Sequence, residues 1–125
     1  MALDIDVDPA ITSDSEPVER VRALQALIAR HAGEAEALGA IAPPVFDALK
    51  AAGLFRIMVA RRTGGEGASM RTFVETVAQI GRSCPGSAWA FGLLAGTTGM
   101  VGSLPDAQRA MLFKRGDELS CFSGA

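Results

Sequence analysis

Few residues in this sequence could do chemistry unaided. The only histidine, His31, lies beside Arg30 and near Glu34, with no nucleophile spaced to make it a base. It reads as a surface residue. The two cysteines, Cys84 and Cys121, are far apart, with no CxxC and no histidine at a ligand spacing. That pattern is neither a disulfide framework nor a zinc site, and it fits a reducing cytoplasm. No HExxH, GxSxG or paired-carboxylate arrangement is present, which argues against a self-contained hydrolase. The stretch RRTGGEGAS, residues 61–69, could cradle phosphate with backbone N–H groups, and Arg61 and Arg62 would add charge. It lacks the GK[ST] ending of a phosphate-binding loop, however, and no strand–helix–strand unit surrounds it. A plain turn is the better reading.

What remains is one uncharged, glycine-studded stretch from Ser83 to Pro105, SCPGSAWAFGLLAGTTGMVGSLP, which holds the only tryptophan. Read as a helix, it places Trp89, Leu93, Gly96 and Met100 on one face. Gly92, Gly96 and Gly99 remove side chains where another backbone could come close. Such a face is expected to be buried. The stretch is long enough to cross a bilayer, and Gly92 to Gly96 matches a GxxxG pairing motif. Against a membrane stand Pro85, Ser87, Thr97, Thr98 and Ser103, the lack of aromatic anchors at both ends, and the lack of a basic flank. A buried helix of a water-soluble domain is the reading carried forward.

The elements that would position this helix follow from punctuation and period. With 125 residues, 49% of them hydrophobic and 21% charged, the chain has room for one domain. A net charge of −2, with basic residues scattered among acidic ones, gives no reason to expect nucleic acid. Residues 1–16 carry five acidic residues and no basic one, and read as a disordered acidic tail with no secretory signal. A first helix begins near Ser15 to Pro17, with Val18, Val21, Leu24, Leu27 and Ile28 as its stripe, and continues towards Gly39. Pro43 and Pro44 open a short helix closed near Gly53. LFRIMVA then reads as an extended buried connector. Ser69 caps a helix whose apolar side is Met70, Phe73, Val74, Val77 and Ile80. Ser83 is the candidate cap of the next helix, and a last one runs from about Pro105 to Arg115 before Gly116. LSCF looks like the start of a strand.

The run APPVFDALKAAGLFRIMV, followed by RRTGGEGASMRTFVETVAQIGRSCPGSAW, resembles the N-terminal helical domain of the acyl-CoA dehydrogenase superfamily. The order and spacing of the pieces carry the resemblance, which covers about residues 17–123. It implies an all-α domain at 17–116, with 117–125 as the start of a middle β-domain not contained in this chain. Flavin would lie where these parts meet in the complete protein, with Phe122 and Ser123 near positions that touch it in relatives. The cofactor would be FAD, or reduced FMN or FAD supplied by a flavin reductase. The substrate would be a small molecule, an acyl-CoA or an aromatic, and the complete protein a cytoplasmic homo-oligomer.

Trp89 after CPGSA looks more like the two-component monooxygenase branch than the true dehydrogenases. Members of that branch often carry a histidine about eight residues after the tryptophan. This sequence has Thr97 there, which can hydrogen-bond but cannot act as an acid or base near neutral pH. The usual proline before the GG turn is Ala60. Trp89 and Thr97 are accordingly the expected lining of a flavin or substrate pocket, and no catalytic residue or metal ligand is assigned. The chain alone is expected to be inactive. Beside this stands a second reading, a small helical interaction module with the glycine-rich helix as its partner-facing surface. Trp89 as plain core, Thr97 and Thr98 bonded to their own backbone, and Cys121 as a small buried residue are the unadorned alternatives.

Overall fold

Proline and glycine punctuate the chain where the helices begin and end. The computed structural model describes residues 16–121, which form six α-helices and two single 3₁₀ turns, with no β-strand among the described residues. Helix α1 spans Glu16–Arg30, α2 Ala32–Leu38, α3 Pro43–Ala51, α4 Met70–Gly81, α5 Pro85–Gly102 and α6 Asp106–Leu112. The expected tail lies outside the described residues except for Glu16, which already belongs to α1. No helix among the described residues is long and apolar enough to cross a membrane.

Helix α5 is the axis of the fold. It packs against α4, α2, α6 and the 3₁₀ turn Leu54–Arg56, while α1 packs against α4, α3 and α2. The core lies between them. Phe55 stands between Phe46 and Phe91, with ring centroids 5.1 Å and 5.3 Å away and both pairs tilted. Val21, Ile28, Leu49, Ile57 and Ile80 close around these rings. Arg20 ties the layers together at one end. Its Nη1 donates to the carbonyl of Ala52 at 2.5 Å, and its Nη2 to both carboxylate oxygens of Glu66 at 2.7 Å.

Several local expectations change. The single first helix is two, broken at His31, whose Nδ1 lies 2.7 Å from Glu34 Oε2. LFRIMVA is buried as expected at Leu54, Phe55, Ile57 and Val59, but it is coiled into a 3₁₀ turn instead of extended. Gly53, at φ 72°, turns the chain sharply after α3 and leaves no room for a straight run. The N-cap of α5 is Cys84, not Ser83: Pro85 takes the first helical position, so the residue before it becomes the cap, and Cys84 Sγ accepts from the Ser87 N–H at 3.5 Å. Ser83 Oγ instead accepts from the Gln25 side chain. Helix α6 ends at Leu112, because Phe113 leaves the helix to lie under the Arg56 guanidinium, 5.6 Å from the ring centroid.

After α6 the chain turns back. The Glu118 carboxylate gathers the backbone N–H groups of Lys114, Arg115 and Gly116 at 2.6–2.9 Å, with Gly116 at φ 87°. Residues 119–121 then run irregularly beside α5. Without a neighbouring strand no ladder can form, and the described residues offer none. Cys121 is exposed, not buried, since the core is already closed beneath Leu119.

Candidate functional site

Steps of three and four residues place Trp89, Leu93, Gly96 and Met100 on one face of α5, as the spacing requires. That face is not buried. Trp89 keeps 72% of its surface exposed and Met100 61%. The opposite face, with Ala88, Phe91, Ala95 and Thr98, is the one turned to the core. Helix α4 behaves in the same way. Thr72, Thr76 and Ile80 point inward, the Thr76 hydroxyl satisfied by the Thr72 carbonyl at 2.7 Å, so that its methyl can pack. Met70 and Val74, expected in the core, stand outside at 62% and 56% exposure.

The two outward faces together form an apolar groove. One part, of about 360 Å³, lies among Phe73, Val74, Val77, Trp89 and Leu93. The next, of about 440 Å³, shares Phe73, Gly92 and Leu93 and runs on to Met58, Met70 and Met100. No titratable side chain among the described residues lines either part. On the other side of Trp89, between α2 and the start of α5, lies a third cleft of about 710 Å³ walled mostly by alanine and glycine, with Glu36 its one charge.

The glycines of α5 divide into two kinds. A Cβ on Gly99 would come within 2.6 Å of Met58 Cβ, and one on Gly102 within 2.9 Å of Val59 Cγ1, so close packing on the connector demands glycine there. A Cβ on Gly92 would sit 3.7 Å from Val77 Cγ2, and one on Gly96 3.6 Å from Phe73 Cζ, which is ordinary contact. Nothing in the helix pair requires glycine at these two positions. Their effect is to deepen the groove.

Thr97, by contrast, is 7% exposed, at the edge of the lower part of the groove. Its hydroxyl lies 2.7 Å from the Leu93 carbonyl and also meets the Ser120 carbonyl. A hydroxyl has one proton to donate, and here carbonyls take it. Trp89 and Thr97 are two turns apart and do not converge on one point. Phe122 and Ser123 lie outside the described residues. Cys84 is buried as a cap, its thiol 3.1 Å from Ser87 Oγ. The loop RRTGGEGAS is a turn. The N–H groups of Gly65, Glu66, Gly67 and Ala68 donate to carbonyls of Ala60, Arg56, Val59 and Ile57, so the donors of the glycine turn are spent within the fold. Among the described residues two carboxyls are held below their ordinary values, neither of them in the groove. Asp106 is lowered by its hydrogen bond and charge contact with Arg109, and Glu118 is lowered to about 2, first by the Arg115 N–H. No group of three or more metal-ligating side chains occurs among the described residues.

A flavin asks two things of its site: a flat apolar wall for its rings, and hydrogen-bond donors for the pyrimidine edge and the phosphates. The groove offers the first and lacks the second. The described residues therefore fit one wall of a flavin or substrate pocket and do not hold a flavin by themselves.

Neither the curated proteins nor the solved structures give a match to this chain. A family model does: that of the N-terminal domain of acyl-CoA dehydrogenase matches residues 17–111, from the start of α1 to the last turn of α6. The chain belongs to the acyl-CoA dehydrogenase family, of which it carries the N-terminal helical domain.

Proposed function

We propose that this domain supplies the apolar helical wall of a flavin-dependent oxidoreductase, on the monooxygenase side of the family. The carrying observation is the groove between α4 and α5, with an indole at its end and no charge along it. An exposed tryptophan beside a glycine-deepened cleft suits a planar ring, since stacking on an aromatic face adds to area burial. Flavin in such enzymes supplies the redox chemistry, with oxygen and a reductase in the monooxygenases and by hydride uptake from an acyl-CoA in the dehydrogenases. The residues of this domain would shape, orient and exclude water. They move no proton, because the Thr97 hydroxyl is committed to carbonyls and no titratable group among the described residues lines the groove. A small-molecule substrate, a reductase and a homo-oligomer belong to the complete enzyme in this reading, and the domain alone turns nothing over.

Trp89 is its own probe, being the only tryptophan. Lumiflavin, which has the flavin ring without phosphates, is expected to quench its emission weakly and saturably. Octanoyl-CoA should do so less, and Gly92→Leu, which fills the groove, should abolish the effect. A stronger response to octanoyl-CoA than to the ring would favour a dehydrogenase. No response to either, or quenching unchanged in Gly92→Leu, would sink the assignment of the groove. Tight stoichiometric flavin binding with turnover would overturn the view that this chain is only a wall.

The interaction-module reading draws on the same exposed face, but nothing in its chemistry selects a protein partner over a ring.

A further inference from the structure

The groove leaves one pair of side chains unexplained. Thr97 and Thr98 are adjacent on α5, buried, and both directed at one residue far along the chain. Thr97 Oγ1 donates to the carbonyl of Ser120, and Thr98 Oγ1 accepts from the Ser120 N–H at 3.0 Å. Together the two hydroxyls meet both backbone groups of a single residue, with the one Thr97 proton shared between the Ser120 and Leu93 carbonyls. Ser120's own hydroxyl is buried without a partner among the described residues, so the backbone and not the side chain is what is held. The approach is prepared upstream. Glu118 locks the turn at 114–116, Asp117 Oδ2 lies 3.8 Å from Lys50 Nζ, and Leu119 packs on the core.

We propose that the Thr97–Thr98 pair is a clasp that fixes the register and direction in which the chain leaves the helical domain, which makes Thr97 a positioning residue acting through Ser120. Two bonds to one residue specify register where a single apolar contact would not. A slip by one position would present the wrong backbone groups and turn Leu119 away from the core. Phe122 and Ser123, the next residues but one in sequence, lie outside the described residues. Their significance rests on the flavin reading above, whereas the clasp itself does not. The two hydroxyls are not equivalent. Thr97 has an alternative acceptor in Leu93, 2.7 Å away, but the Ser120 N–H has only Thr98 among the described residues. Thr98 is therefore the stronger half.

Hydrogen exchange at the Ser120 amide tests this without any flavin. Thr98→Val keeps the shape and removes the acceptor, and is expected to speed exchange about five- to tenfold, the worth of one net hydrogen bond. Thr97→Val is expected to give a smaller increase, and Thr97→Ser to return it to the original rate. Cys84, buried at the far end of α5, serves as the unfolding control, because its thiol should stay unreactive in all three variants. Unchanged Ser120 exchange in Thr98→Val overturns the clasp. So does a parallel rise in Cys84 reactivity, which would show the threonines to be part of the core instead of a separable fastening. Because the lumiflavin titration reads Trp89 and this experiment reads Ser120, either idea can fail alone.

Discussion

Phe91 and Trp89 stand two positions apart on α5 and meet opposite surroundings. Phe91 is fully buried against Phe55, and Trp89 is largely in water. Truncating Phe91 to alanine should open a cavity beside Phe55 and cost about 3–5 kcal/mol, whereas Trp89→Ala should cost under about 1 kcal/mol. Urea unfolding followed by circular dichroism would show both, and a large loss for Trp89→Ala would mean that the indole is core after all. Glu118 gives a prediction in pH. Its carboxyl is lowered from 4.5 to about 2 by backbone N–H groups, that of Arg115 first and then those of Glu118 itself, Gly116 and Lys114, with Arg115 Nε 3.8 Å away and Asp117 beside it. A depressed carboxyl contributes stability that is fully present above its ordinary value and is lost as pH falls through the folded value. The contribution of Glu118 to the turn at 114–116 should therefore be complete above pH 4.5, decline progressively as pH falls towards about 2, and be gone below that. The carboxyl carbon of Glu118, followed by NMR, should titrate near 2, and a midpoint near 4.5 would show that the turn does not form.

At the scale of the helix, the glycines of α5 should separate by sign. Gly92→Ala and Gly96→Ala remove the entropic cost of glycine in a helix where a Cβ has ordinary contact distances, and should stabilise by about 0.5–1 kcal/mol each. Gly99→Ala drives a Cβ into Met58 and should destabilise by about 1–3 kcal/mol. Chemical denaturation of the three variants is the check, and a uniform sign would refute the division. The sequence made α5 visible but not this division, because spacing shows which residues share a face and not which neighbour that face meets. The same limit explains α4. Its ends were legible, Ser69 accepting from the Thr72 N–H at 3.1 Å as the cap chemistry implies. Its core side was legible only in part: Ile80 is core and Phe73 and Val77 pack against it, but Met70 and Val74 of the same apolar stripe stand outside. Thr72 and Thr76 look polar until the Thr76 hydroxyl is seen returned to the backbone. Trp89 could be named from the sequence as notable, but its exposure depends on what α4 leaves uncovered. The clasp at Ser120 was out of reach, because it joins residues more than twenty positions apart through backbone groups that have no sequence signature.

On the scale of the whole domain, two apolar surfaces lie back to back. One is the closed core around Phe46, Phe55 and Phe91, and the other is the open groove of α4 and α5. Folding rests on the first, so the second can be changed without unfolding the domain. Apolar surface left in contiguous water-exposed patches attracts amphiphilic dyes and other copies of the chain. The folded domain is accordingly expected to bind anilinonaphthalene sulfonate and to self-associate as its concentration rises. Val74→Gln with Leu93→Gln should suppress both, since the two side chains lie on the open walls and glutamine keeps the helices well formed. The denaturation midpoint should stay within about 0.5 kcal/mol of the parent, as for exposed positions generally. Dye binding that survives the double variant would place the apolar surface elsewhere. A collapse in stability would mean that the groove is closed in solution, so that the α4–α5 face belongs to the core and could serve neither a ring nor a partner.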